Sequence, residues 1–218
     1  MIDKIKKLVE ALGAPDENKQ EPVTLSPEEQ EELLQQLLGG AAKEPDLRLM
    51  GLFSDVVDEK VAELVHALLY LDELNKLRKE EKPVQFYIST YGGSADDMFA
   101  LYDIMRQVKE NTEIHTVGLG KVMSAGVLLL AAGTKGKRKI GKYCRVMIHS
   151  VIGGSHGSLP NLANEMEAIQ QIQKAYIEVL VAETSMTKKQ LKELLERKVN
   201  VYLTAEEAVE LGIADIII

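Results

Sequence analysis

One serine in this chain stands where a nucleophile could be built. The segment 118–133 reads GLGKVMSAGVLLLAAG. A polar stretch ends at Ser124, the small residues Ala125 and Gly126 follow, and an apolar run from Val127 to Ala132 is closed by Gly133. This pattern predicts a strand over 114–119, a tight turn, and a buried helix that starts at or beside Ser124. A helix N-terminus has unpaired backbone N–H groups and the positive end of the dipole. A hydroxyl placed there meets donors suited to developing negative charge. Two readings are open. Ser124 is an N-cap, a position serine favours, or it is a nucleophile beside its own oxyanion donors.

Acyl transfer by serine needs a base and a group that orients the base. His149 ends the apolar strand Val146-Met147-Ile148, at a strand's carboxyl end, and is the best-placed of four histidines. His66 falls mid-helix, His115 alternates within a strand, and His156 sits in a glycine-rich segment. Those three fit ordinary surface or core roles. No His, Cys, Asp or Glu spacing suggests a metal site. The residues around Ser124 read Val-Met-Ser-Ala-Gly, which is not the Gly-x-Ser-x-Gly of the α/β-hydrolase elbow.

These residues need a scaffold, and the chain from 47 onward alternates in a way that supplies one. Strands are expected over 47–52, 84–89, 114–119 and 145–149, with helices over 58–78 and 96–109 between them. Ser54 is a candidate cap ahead of the first of these helices. The tight loop Tyr91-Gly92-Gly93-Ser94 follows the second strand. Repeated strand–helix units predict an α/β fold with mostly parallel strands. Ligands in such sheets sit at the carboxyl ends of strands, so Gly92, Gly93 and Ser124 could share one crevice. A small, polar segment over 153–158 precedes a long helix opened by Pro160 and running to about 183. Leu162, Met166, Ile169, Ile172 or Gln173, and Tyr176 form its stripe, which suits either its own domain or a partner subunit. A helix over 187–197, a short strand near 199–203, a helix with the capping box Thr204…Glu207 that ends at Gly212, and an apolar tail complete the chain.

The first 44 residues read differently. Residues 1–14 have helical spacing, 15–24 are a polar linker with Pro15 and Pro22, and Ser26-Pro27-Glu28-Glu29 starts a helix that stops at Gly39-Gly40. Residues 1–44 are therefore taken as an N-terminal helical appendage and 45–218 as the main domain. The chain has 218 residues, 45% of them hydrophobic, which is enough for a full core. A net charge of −8 argues against nucleic acid or an anionic membrane as the main partner. The basic run Lys135-Gly136-Lys137-Arg138-Lys139 reads as a turn between two core elements, with a merely solvated loop as the plainer alternative. The single cysteine, Cys144, permits no internal disulfide and fits a reducing cytoplasm. The N-terminal residues do not read as a secretory signal, and no stretch approaches a membrane span.

Several motifs, in order, carry a family resemblance. They are Tyr87-Ile88-Ser89-Thr90-Tyr91-Gly92-Gly93-Ser94, Gly120…Met123-Ser124-Ala125-Gly126 and Ala132-Gly133-Thr134-Lys135-Gly136-Lys137-Arg138. Arg145-Val146-Met147-Ile148-His149 and Leu203-Thr204-Ala205-Glu206-Glu207-Ala208…Gly212-Ile213-Ala214-Asp215 follow. From about residue 47 to the C-terminus the chain resembles the caseinolytic protease proteolytic subunit family, ClpP. The resemblance implies a crotonase-like α/β fold with a protruding handle helix, matched here by the helix from Pro160. It implies a serine-type endopeptidase assembled as a homo-oligomer, with heptameric rings stacked as a tetradecamer around a chamber for polypeptide substrates. An AAA+ unfoldase partner would use the ATP, so the chain itself needs no cofactor.

Residue by residue, the resemblance makes Ser124 the nucleophile and His149 the base. Gly93 and Ala125 match the oxyanion-hole positions. The Gly92, Gly93 and Ala95 region and Ile152 fall where the family lays substrate as an added strand. Asn200 falls at the third catalytic position, where the family usually has aspartate. An asparagine oxygen accepts a bond from the histidine but adds no negative charge. The expectation is a weak or conditionally active peptidase, with a structural ring subunit paired with an active ClpP paralogue as the alternative. A crotonase-fold enzyme acting on acyl-CoA thioesters ranks last. Val199, preceded by Lys198, replaces an arginine used between rings. Gln85 and Gln107 replace aromatic residues of the unfoldase pocket, which should weaken apolar anchoring of a partner loop.

Overall fold

Seven strands and six helices follow one another as strand–helix units in the computed structural model, which describes Ser26, residues 46–196 and residues 199–218. In chain order they are β1 (Leu49–Leu52), α1 (Asp58–Arg78), β2 (Val84–Thr90), α2 (Ala95–Val108), β3 (Ile114–Met123) and α3 (Ala125–Ala131). Then come β4 (Lys139–Ile140), β5 (Arg145–Ile148), α4 (Leu159–Glu183), α5 (Lys188–Glu196), β6 (Val201–Leu203), α6 (Ala205–Glu210) and β7 (Ile216–Ile217). The helices and linker expected within residues 1–44 lie outside the described residues, Ser26 excepted.

Side-chain spacing explains the elements. β2 alternates buried and half-buried residues along its whole length, as period-two packing requires. Val61, Leu64, Leu68 and Leu71 bury one stripe of α1. Met98, Leu101, Tyr102, Met105 and Val108 do the same for α2. Every residue of α3 is buried, so this short helix forms the centre of the core. The helix start proposed at Ser54 is not found. Val57 is the N-cap of α1, and among the described residues the Ser54 hydroxyl bonds the Asp55 carbonyl alone. The Thr204–Glu207 capping box is present in both directions.

The sheet runs β1-β2-β3-β4-β7, with β5 joined to β3 and β6 to β5. All pairings are parallel except β5 with β6. β3 reaches Met123, four residues beyond the expected end at 119, and serves two neighbours in turn. Val117 and Gly118 pair with β4, whereas Lys121, Val122 and Met123 pair with β5. Gly120 at φ +64° and a register shift after Ile88 bend the strand between these halves. The bend carries the chain directly into Ser124.

The basic run is not simply solvated. Arg138 is buried, and its guanidinium donates to Asp215 Oδ2 at 2.8 Å and Oδ1 at 2.5 Å. It also donates to the carbonyls of Ala131 and Glu183, so one side chain joins α3, α4 and the C-terminal tail. Asp215 accepts the Gly136 and Arg138 N–H groups as well. Burial raises the Asp215 pKa, but the bonds from Arg138 outweigh it and the net shift is downward. A lowered native pKa means the stabilisation is complete above the ordinary carboxylate range and is lost as pH falls through the native value. Asp215→Ala is expected to cost about 3 kcal/mol at neutral pH, because it strands a buried guanidinium. Urea unfolding should show that cost, and the gap to wild type should shrink below about pH 4.

Candidate active site

Ser124 sits where β3 becomes α3, with φ 54° and ψ −122°. This is a strained region for a residue with a Cβ, and such strain collects at functional positions. The Ser124 side chain makes no capping hydrogen bond. That observation decides against the N-cap reading. The strain is held from several sides. Ser124 N–H donates to Met147 O of β5 at 2.8 Å. A Cβ on Gly92 would come within 2.5 Å of Ser124 Cβ, and one on Gly126 within 2.5 Å of Thr90 Cγ2. Only glycine allows the loop after β2 and the start of α3 to approach this closely.

His149 follows β5 directly, and its Nε2 lies 2.9 Å from Ser124 Oγ. Its Nδ1 lies 2.5 Å from the Ser150 carbonyl oxygen. A carbonyl can only accept, so Nδ1 carries the proton and Nε2 presents its lone pair to the serine hydroxyl. This is the tautomer a general base requires. The other histidines are elsewhere. His66 and His156 are exposed, and His115 bonds Glu113 at 2.7 Å and Gln85 at 3.1 Å.

The remaining expected residues fall at different distances from this pair. Gly93, Ala95, Ala125 and Ile152 line one crevice of about 380 Å³ together with Ser124 and His149. Among the described residues, neither the Gly93 nor the Ala125 N–H donates to a protein acceptor. The loop at Gly93 is strapped to Val56, which donates to Gly92 O at 2.8 Å and accepts from Ser94 N–H at 2.9 Å. Gly92 lies behind Ser124 with both backbone groups engaged, its N–H bonding Thr90 Oγ1 at 3.0 Å. Met98, Ile172 and Tyr176 give the crevice an apolar wall.

Asn200 is not brought onto His149. It is exposed and makes no hydrogen bond to the imidazole among the described residues, where Ser150 O takes Nδ1 instead. The antiparallel ladder ends with Met147↔Tyr202 and Ile148↔Val201; carried one step further, the same register would set Asn200 opposite His149. Two contributors had no clear signal in the sequence. The Ser150 carbonyl is backbone and is invisible there. Tyr176 was visible only as part of the α4 stripe, yet its hydroxyl donates to Ser124 O at 3.2 Å. Burial pushes the Tyr176 pKa up, which keeps the hydroxyl a donor. Among the described residues, no cluster of three or more His, Cys, Asp or Glu could hold a metal ion, and no helix is long and apolar enough to cross a membrane.

Comparison with known proteins gives the family. A family model described as Clp protease matches residues 36–218. The chain belongs to the Clp protease family. Within it, the chain is 33% identical over 171 residues to the ATP-dependent Clp protease proteolytic subunit 1 of Prochlorococcus marinus strain MIT 9312, covering 78% of this chain and 84% of that protein. It is 32% identical over 171 residues to the protein of the same name from P. marinus subsp. pastoris strain CCMP1986 / NIES-2087 / MED4, covering 78% and 83%. The α/β architecture with its mostly parallel sheet is the Clp protease fold. The matched span contains Ser124, His149, Asn200 and all of α4. Two positions expected to depart from the family are polar in the fold as well: Gln85 bonds His115, and Gln107 is exposed. Val199 is exposed too, and Lys198 lies outside the described residues.

Proposed function

We propose that this chain is the proteolytic subunit of a Clp-type assembly and hydrolyses peptide bonds as a serine endopeptidase. The observation that carries the reading is the uncapped, strained Ser124 hydroxyl bonded to the lone-pair nitrogen of His149. Ser124 Oγ attacks the peptide carbonyl carbon while His149 Nε2 takes its proton. The tetrahedral oxyanion is held by the Gly93 and Ala125 N–H groups. Imidazolium then protonates the leaving amine, and water, deprotonated by His149, releases the acyl group and restores Ser124. Substrate runs as an extended strand past Gly93 and Ile152, and an apolar side chain enters the wall of Met98, Ile172 and Tyr176. The chain works as a ring-forming homo-oligomer, on polypeptide that an ATP-driven unfoldase delivers; the relatives' name, ATP-dependent Clp protease proteolytic subunit 1, supports the ATP dependence and the subunit role alone.

Activity is weak or conditional in this reading, because the Nδ1 partner is uncharged. Asn200, across from His149 in register, is the third residue in the competent state. Asn200→Asp is expected to raise kcat on a small peptide amide by about tenfold or more, since a carboxylate stabilises the imidazolium that a neutral oxygen does not. An unchanged kcat in a correctly assembled variant counts against that role. The same uncharged partner favours a second reading, a structural subunit that shapes a mixed ring with an active paralogue. A fluorophosphonate separates the two. Covalent labelling of Ser124, absent in Ser124→Ala, supports the peptidase, and an unlabelled serine in the assembled protein leaves the structural subunit.

A further inference from the structure

The Ser150–Val151 peptide unit has partners on both edges. Its carbonyl accepts from His149 Nδ1, and its N–H, the Val151 amide, donates to Gln173 Oε1 of α4 at 2.7 Å. The peptide is trans, as are all described peptide bonds, so its C=O and N–H point in opposite directions. Drawing the N–H toward α4 therefore aims the carbonyl back toward the end of β5, where the imidazole stands. An acceptor bonded to the N–H also polarises the amide, which makes the carbonyl a better acceptor. Gln173 is half-buried, so this bond is partly shielded from competing water. Three positions along the same face of α4, Tyr176 holds the Ser124 carbonyl. One helix thus grips the backbone beside both reacting side chains.

We infer that Gln173 is a positioning residue of this site. Through the Ser150–Val151 peptide it sets the tautomer and aim of His149, so that a backbone carbonyl does the orienting that no side chain does in this conformation. The inference rests on the peptidase reading of Ser124 and His149. It gives α4 a part in the chemistry besides packing. It also identifies which of the two stripe candidates, Ile172 or Gln173, acts through a polar group.

The test uses the full-length assembled chain and two readouts. These are the rate of Ser124 phosphonylation by a fluorophosphonate, and kcat and KM on a small peptide amide. Gln173→Met keeps length and removes the acceptor. It is expected to slow both phosphonylation and kcat by about tenfold to a hundredfold, because a small misplacement of a catalytic group costs that much, while KM stays within about twofold. Gln173→Glu keeps an oxygen acceptor at the same reach and should recover a rate within about threefold of wild type. Gln173→Asn is one methylene short and should behave like Gln173→Met, which keeps the test usable if the methionine variant fails to assemble. Wild-type rates in an assembled Gln173→Met or Gln173→Asn protein overturn the inference and leave the peptidase reading standing. So does a loss that appears in KM alone, or one that Gln173→Glu does not recover. If wild-type Ser124 is not phosphonylated at all, both fall together.

Discussion

Replacing His149 with alanine is expected to lower kcat for a small peptide amide by about 10⁵-fold or more, to the level of the Ser124→Ala protein. The size follows from how the pair works. In the proposed mechanism Ser124 Oγ is a poor nucleophile until His149 Nε2, 2.9 Å away, takes its proton as the bond to carbon forms. Remove either group and the other has nothing to do, so the double variant should be no slower than either single one. KM should change little, since neither side chain supplies most of the substrate contact. Folding should survive, because both residues are only half-buried and lie at the ends of β3 and β5 rather than in the core. Steady-state kinetics with native mass measurement checks this. A His149→Ala protein that retained more than a hundredth of wild-type kcat would require another base.

Gly93→Ala is expected to lower kcat by about 10²- to 10³-fold, the usual cost of losing one oxyanion donor. The reason is steric and is local to the strap. A Cβ at this position would collide with the Val56 carbonyl oxygen and come within 2.8 Å of Val56 N and C. Those are backbone atoms, and Val56 is pinned by bonds to Gly92 O and from Ser94 N–H. Neither side can yield without turning the 92–94 loop, which swings the Gly93 N–H away from the crevice. Phosphonylation of Ser124 should slow in parallel, since a phosphonyl oxygen uses the same donors. Gly141→Ala, away from the crevice and with only ordinary contacts of 3.4 Å or more for the added Cβ, serves as the comparison and should stay within about threefold of wild type. Equal rates in the two variants would remove Gly93 from the oxyanion hole.

The site divides into parts with different origins. Ser124, His149, Gly93 and Ala125 line one crevice at the carboxyl ends of β2, β3 and β5, where parallel sheets expose their loops. α4 and the Ser150–Val151 peptide form the support behind it. The proposed mechanism asks little of side-chain identity at Gly93 and Ala125 and a great deal of backbone position. The glycines at 92, 93 and 126 are accordingly placed where a Cβ would meet neighbouring atoms at 2.9 Å or closer.

The amino-acid sequence alone determined the alternation of strands and helices, the buried helix after Ser124 and the choice of His149 among four histidines. Each of these is a local signal: period two in β2, an unbroken apolar run in α3, a histidine at the end of an apolar strand. Element ends were less legible. β3 continues to Met123 because β5 pairs with its second half, and that pairing is non-local. β4 and β7 are two-residue strands made only by each other and by β3, and a propensity window has nothing to detect in them. Arg138 looks like one more charge in a basic turn until Asp215 arrives from 77 positions away to neutralise it. The partner of His149 Nδ1 lay further still from sequence reasoning. A backbone carbonyl has the same chemistry at every position, so residue types cannot reveal which one faces the imidazole. Tertiary structure decided it, by bringing Gln173 to the far edge of the same peptide.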